Sequence, residues 1–426
     1  MNTAVTHRLL KIACILVFSI LCLIHVIKGI IPAWKGITSD FPNYYVSSKL
    51  VLENNVNLNL YDRIWFQKKM RESGLDQEGK FSPFPPATVL LLLPVAGLDP
   101  LSAMRIMLII NIIAGMLCVI LIKRIADLSL FQAAFLILLS GASLDNNLVL
   151  GQVYLLLLLS TLWIYLLIQR RKEFQAAIIT GLGISIKYFP AIFVAASLLI
   201  KKIRFFFLTI AAVTAINLIC VSLIGVQTYQ DFFREVILKH FAGELEGQSP
   251  WAYAFQSWNS LGHRLFLFHP AENPSPLLQS NTAFKIFKTF THVCIIAVSS
   301  IYLYKIRLKK NFFGLSVVIL TYTVLLLSPA GATYHHLLAW LPYAILLSHR
   351  KPMQSKSKTL LMLILAVMII SSFAPYVISR MDIFTENLVI SYYRLWSNLI
   401  IYSSSIFIIH FELNSEPEEI TLQLKK

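Results

Sequence analysis

Charge is scarce in this sequence. Only 14% of its 426 residues are Asp, Glu, Lys or Arg, against about 25% in an average soluble domain. Hydrophobic residues make up 57%, and the mean hydropathy is +0.69. A soluble globular chain is thereby excluded. Runs of about 10 residues with alternating polarity are absent, which excludes an outer-membrane barrel. No HExxH motif or metal-cluster spacing occurs, so a metal hydrolase is rejected; no metal-ligating residue and no cofactor are expected, and a metal requirement is left open. The five cysteines (Cys14, Cys22, Cys118, Cys220 and Cys294) all fall in apolar runs, without ligand spacing or the pattern of a disulfide framework. There is no repeat of 20–50 residues, no low-complexity tract and no soluble domain. The first apolar run is too long for a cleaved signal peptide, and no small-residue cleavage site follows it. Basic residues outnumber acidic ones, with a net charge of +16. They are scattered through short loops rather than gathered in one basic domain, which argues against nucleic-acid binding.

What remains is long apolar runs. Crossing about 30 Å of hydrocarbon takes about 20 residues, and several runs reach that length. The reading is an all-α polytopic membrane protein of about 12 transmembrane helices, near 9–31, 101–123, 130–146, 151–169, 175–187, 189–200, 205–225, 285–305, 312–328, 335–348, 359–377 and 392–411. The first is expected to end at Pro32. Basic clusters at Arg8 and Lys11, Lys123 and Arg124, Arg170–Lys172, Lys201–Arg204, Lys305–Lys310 and Arg350–Lys358 alternate with these runs. The positive-inside rule puts them on the cytoplasmic side, with both termini. The chain is then one membrane domain, 1–411, with outer loops 32–100 and 226–284 and a cytoplasmic tail, 412–426. Short interfacial helices are expected at 43–54 and 61–72. The proline-bounded stretch 83–100 is too short to cross and reads as a re-entrant or interfacial segment. A break is expected at Lys187–Pro190, where proline removes a backbone donor.

Several polar residues fall where helices end on the outer side. Asp40 follows the first helix among Phe41, Tyr44 and Tyr45. It suits either a helix N-cap in an aromatic belt or a general base at the rim of a cavity. "LDNNLVLGQVY" (144–154) joins two helices through Asp145, Asn147 and Gln152, which a hairpin turn would also explain. Lys187 suits snorkelling or an anionic ligand. "WAYAFQSWNSLGHRLF" (251–266) surrounds Arg264 with aromatic and polar groups, Gln256 among them. "LSPAGATYHHLLAWLP" (327–342) carries His335 and His336. Adjacent residues on a helix point about 100° apart, so these two do not easily face one metal. Together these groups suit a membrane enzyme with its site at the outer face.

The order of these motifs resembles glycosyltransferase family 87. "SDFPNYYVSSKLV…LYD", "FSPFPPATVLLLLPVAGL", "NLVLGQVYLLLLL", "GLGISIKYFP", "FQSWNSLGHRLF" and "LSPAGATYHHLLAWLP" follow one another in family order from about residue 38 to 342. Phe84 stands where the family often has tyrosine, and Ala332, Thr333 and Tyr334 stand where it often has a tryptophan. The resemblance implies a GT-C fold. It also implies inverting transfer of a sugar, mannose in most such enzymes, from a polyprenyl-phosphate donor to a lipid or glycan acceptor outside the cytoplasmic membrane. The aspartate after the first helix, here Asp40, would be the base. Glycoside hydrolysis needs a second carboxyl to protonate its leaving group, whereas a prenyl phosphate leaves as a stable anion. Cations would meet that phosphate. Lys187 and Arg264 are the candidates, expected close together, with His335 or His336 assisting. Gln152, Asn147 and Gln256 are placed at the sugar or acceptor, with Tyr44 and Tyr45 as rings for a sugar face. The carrier chain is expected to enter near 83–100. A transporter or lipid flippase is the alternative. It would show paired half-helices in repeated halves, and no such pattern is present.

Overall fold

The computed structural model describes residues 3–53, 59–242, 249–307, 309, 311–378 and 387–415; the last eleven residues of the expected tail lie outside it. The described residues form helices and contain no strand. Five helical stretches are long and apolar enough to cross a membrane: Lys11–Lys35, Pro100–Ala126, Ile203–Ile224, Asn281–Ile306 and Ser355–Ile378. Counting one bent pair as a single span brings the number to six. Length therefore does not support twelve full crossings. Glu173–Ile186 has 14 residues, Ala191–Leu199 has 9 and Phe312–Leu327 has 16. At 1.5 Å per residue these cover roughly 14–24 Å. The apolar runs at these places are interrupted, and an apolar run is not a continuous helix.

Three interruptions shape the bundle. Pro32 does not end the first helix. A π turn at Val26–Ile30 passes the chain into Ile31–Lys35, with Pro32 in its first turn, where a missing N–H costs least. The stretch expected as one helix at 130–146 breaks at Gly141, between Leu130–Leu138 and Ala142–Val149. Gly141 has φ +48°, and a Cβ there would lie 2.7 Å from the Ser372 carbonyl oxygen. Ala142–Val149 and Tyr154–Gln169 then meet at 115°.

A buried cluster holds this bent pair. Asp145, on the first arm, lies 2.6 Å from His25 Nδ1 and accepts a hydrogen bond from Tyr376. The other imidazole nitrogen, Nε2, donates to the Leu138 carbonyl at 2.8 Å. Three elements distant in sequence are thus tied to one carboxylate. Asn147 ties the second arm: it donates to Asn111 at 2.9 Å and accepts from the Tyr154 backbone N–H at 2.9 Å.

Short helices form near the two places where they are expected, at Phe41–Leu52 and Arg63–Glu72. The proline-bounded stretch folds as two 3₁₀ turns, Pro86–Leu90 and Leu93–Val95. Thr88 donates to the Ile186 carbonyl at 3.2 Å, docking this segment on the end of the broken helix. Two loops that carry basic clusters meet where Lys351 pairs with Asp127 at 3.0 Å, and Lys309 donates to the Leu413 carbonyl of the helix Tyr393–Ser415 at 3.3 Å.

Candidate active site

Asp40 precedes the helix Phe41–Leu52 but does not cap it. Its side chain makes no capping hydrogen bond. Asp62 and Asp99, at comparable positions before other helices, each accept from a backbone N–H at 3.0 Å. The half-buried Asp40 carboxylate turns inward instead, and Oδ2 accepts from Gln152 Nε2 at 2.7 Å. The Gln152 carbonyl oxygen in turn accepts from the Tyr44 hydroxyl at 2.8 Å. Gly151 makes this approach possible. Its φ is +61°, and a Cβ there would lie 2.7 Å from Phe41 Cβ. Only glycine lets the turn press its backbone against the start of the Asp40 helix.

Lys187 follows the last residue of Glu173–Ile186 in extended conformation. Its ammonium sits 4.2 Å from the ring centroid of Phe84, 5.6 Å from Tyr154 and 5.9 Å from Tyr44. Such contacts favour a cation but use none of its three N–H donors. Burial pushes the Lys187 ammonium down to about 8, against the opposing pull of Asp40. Burial also raises Asp40 above the ordinary carboxylate range, while the Gln152 hydrogen bond and the charges of Lys187 and Lys80 hold it back. The two groups titrate toward one another.

His335 lies on the 3₁₀ turn Thr333–Ala339, and both it and Tyr334 pack on Tyr154 with centroids 4.8 Å apart. Lys187, His335, Tyr154 and Ser328 line a cavity of about 450 Å³. Its other walls are apolar, from Ile192 and Ala195 on one helix and Leu320, Val324 and Leu325 on another. Along the second helix, Leu320 to Ser328 covers roughly 12 Å. The cavity is polar where it meets Lys187 and hydrocarbon-like beyond. No residue of segment 83–100 lines it, though the Phe84 ring lies 4.2 Å from the Lys187 ammonium.

The structure gives the remaining candidates different tasks. Arg264 donates through Nε and Nη2 to the Trp251 carbonyl at 2.9 and 2.6 Å and through Nη1 to Glu272 O at 3.1 Å, with its guanidinium 3.8 Å from the centroid of Tyr253. None of these contacts is with Lys187, and the guanidinium is spent holding the loop around Trp251 and Glu272. Tyr45 points away and donates to Leu98 O at 2.6 Å. Asn147 is fully buried in the hairpin bonds described above. Gln256 accepts from the Arg394 backbone N–H at 2.7 Å, which commits it to packing. His336 is buried and does not line the cavity. Tyr154 and Arg394 were not singled out in the sequence, and Phe84 and Tyr334 stood out only as departures from the family pattern. Arg394 carried a signal: a charged residue inside the apolar run 392–411 is a functional candidate by default.

Residues 83–329 match glycosyltransferase family 87, more than half of the chain. The chain belongs to this family. It is thus a membrane glycosyltransferase, as the resemblance implied. The match includes Gln152 and Lys187; Asp40, His335 and Arg394 lie on either side of it. No curated protein matches the chain, and no solved structure does.

Proposed function

We propose that this family 87 enzyme transfers a sugar, mannose on the family's pattern, from a polyprenyl-phosphate carrier to a lipid or glycan acceptor at the outer face of the cytoplasmic membrane, with inversion. The observation that carries this reading is the placement of Asp40. A carboxylate that caps nothing is held by Gln152 within the field of Lys187, which lies at the polar part of an apolar cavity.

The step is a single displacement. The acceptor hydroxyl oxygen attacks the anomeric carbon while Asp40 takes its proton. The bond from anomeric carbon to phosphate oxygen breaks, and its electron pair leaves with the prenyl phosphate. Lys187 meets the phosphate with three free donors in a water-poor setting, where they are strongest. The apolar walls receive the first isoprene units. The Tyr44 hydroxyl fixes the orientation of Gln152, which fixes the carboxylate, so only one Asp40 oxygen is left for the acceptor. Tyr334 and Tyr154 supply ring faces beside the reacting sugar.

The test uses purified full-length protein in nanodiscs with a panel of radiolabelled polyprenyl-phosphate sugars and lipid or glycan acceptors. Wild type should transfer from at least one donor. Asp40→Asn, nearly isosteric but unable to take a proton, should bind donor as wild type does and lose about 100- to 10,000-fold in turnover. Full turnover in the Asn variant removes Asp40 from the mechanism.

A further inference from the structure

Arg394, at the start of the helix Tyr393–Ser415, is 4% exposed. Its Nη2 donates to the Ala254 carbonyl at 2.8 Å, Nη1 donates to the Thr333 hydroxyl, and Nε has no partner. Among the described residues no Asp or Glu pairs with it, and its guanidinium lies 5.7 Å from the ring centroid of Tyr393. Surface cations of this protein do find carboxylates: Arg63 pairs with Glu78 at 2.8 Å and Lys202 with Glu173 at 2.9 Å. A buried guanidinium without a counter-ion is costly, because burial strips its hydration and nothing replaces it. Such a group calls for an anion that arrives from outside.

Arg394 is connected to the site. Thr333, its hydroxyl partner, opens the turn whose next two residues, Tyr334 and His335, pack on Tyr154. Tyr154 lies under Lys187. Both cations bear electrostatically on His335. The Lys187 ammonium also has no hydrogen bond or ion pair with a described residue; its contacts are with the rings of Phe84, Tyr154 and Tyr44. A buried cation, Arg394, and a half-buried one, Lys187, therefore share this region with one carboxylate, Asp40.

We infer that Arg394 is the second cation of the donor site, and that Arg394 and Lys187 together hold one phosphodiester anion beside the turn at 333–335. This rests on the transferase reading above and adds a second cation to its donor site. The charge count supports it. Before transfer, ionised Asp40 and a phosphodiester carry two negative charges, matched by Lys187 and Arg394. In the step, Asp40 gains the acceptor proton and becomes neutral, while the departing prenyl phosphate becomes a dianion. The sum is again zero. Two cations keep the buried site neutral on both sides of the reaction, and one cation would not. A diphosphate-linked donor would leave a surplus negative charge throughout, which a water-poor site disfavours.

Binding tests this without turnover. The probes are farnesyl methyl phosphate, a fixed monoanion, its neutral analogue farnesyl dimethyl phosphate, and farnesyl methyl diphosphate, a dianion. Each is titrated calorimetrically into full-length protein in nanodiscs at pH 7. Arg394→Gln should weaken the monoanion about 10- to 150-fold, the range for a lost charge-assisted bond. Arg394→Lys should weaken it less, and neither variant should change affinity for the neutral probe. The dianion should bind wild type no more tightly than the monoanion. Unchanged monoanion affinity in the Gln variant overturns the assignment. So does an equal loss for the charged and neutral probes, which would make Arg394 a shaper of the groove only, and so does a tenfold preference for the dianion. If the Gln variant does not fold, wild type still decides: equal affinity for monoanion and neutral probe overturns the site. Asp40→Asn turnover is read separately, so a transferase lacking this anion site fails here and passes there.

Discussion

Asp40 and Gln152, 112 residues apart in the chain, share a 2.7 Å hydrogen bond that fixes one oxygen of the carboxylate. The amide's other end is fixed in turn by Tyr44 at 2.8 Å. An amide held at both ends cannot rotate, so the carboxylate it holds presents its second oxygen in one direction. This ordering is what a general base needs, since geometry within about 3 Å of the acceptor hydroxyl decides its efficiency.

Gln152→Leu should therefore disable the base without touching the donor cations. Turnover should fall about 10- to 100-fold, on the scale of a catalytic group misplaced by an angstrom, with donor affinity near wild type. The hydrogen bond from Gln152 lowers the Asp40 pKa, so its loss should move the acid limb of the pH profile upward. Steady-state kinetics across pH on wild type and variant measure both effects. An acid limb that stays in place would separate Gln152 from the carboxylate's ionisation.

The pH dependence follows from two shifts of opposite sign. Asp40 must be ionised to accept a proton, and burial has raised it above the ordinary carboxylate range. Activity should therefore fall as pH drops through that raised value. Lys187 must be charged to meet the phosphate, and burial has brought it down to about 8. Activity should fall again as pH rises through about 8. A bell-shaped kcat/KM is expected. In Lys187→Arg the alkaline limb should vanish, because guanidinium stays charged over that range. An alkaline limb unchanged in that variant would assign it to another group.

Gly151→Ala tests how the site is assembled. The residue sits at φ +61°, and the new methyl would be placed 2.7 Å from Phe41 Cβ. A left-handed non-glycine residue costs about 1–2 kcal/mol, and the clash adds to it. The hairpin and the Asp40 helix should move apart. Turnover should fall more than donor affinity, since Lys187 belongs to a different element. Thermal unfolding and donor titration of the same preparation read the two parts. Equal losses in both would mean that the whole bundle, and not this contact, had been disturbed.

Legibility in the sequence followed the physics of each signal. Long apolar runs identified a helical membrane protein, because hydropathy responds to the bilayer. The same runs overstated the number of crossings. Breaks at Gly141 and at 150–153 come from backbone conformations and close approaches that hydropathy does not sense. Asp40, Gln152, Tyr44, Lys187 and His335 are brought together as their positions at helix ends suggested. Arg264 drew attention through its aromatic setting, yet its donors are consumed by Trp251 and Glu272 carbonyls that only a folded loop reveals. Arg394 was overlooked because it sits near the end of the chain, beyond the last motif of the series. Asn147 and Gln256 illustrate the limit for amides. Their composition suits a sugar, and their partners turn out to be protein.

His25, Asp145 and Tyr376 join the first helix, the hairpin and the Ser355–Ile378 helix. His25 Nδ1 and Asp145 Oδ1 lie 2.6 Å apart and share one hydrogen bond. Nε2 stays protonated because its partner, Leu138 O, can only accept. His25→Ala deletes the donor and leaves the buried carboxylate with Tyr376 alone. Breaking a buried pair from one side costs about 3–5 kcal/mol. The melting temperature should drop sharply, and turnover should fall with the hairpin that carries Gln152. Asp145→Asn is different. Its amide N–H can donate to a neutral His25, and its carbonyl can accept from Tyr376. It should cost about 1 kcal/mol or less, the net value of an ordinary hydrogen bond. Thermal unfolding of both variants in one detergent gives the comparison. A histidine variant as stable as the asparagine variant would mean that the three side chains do not tie the first helix, the hairpin and the Ser355–Ile378 helix together.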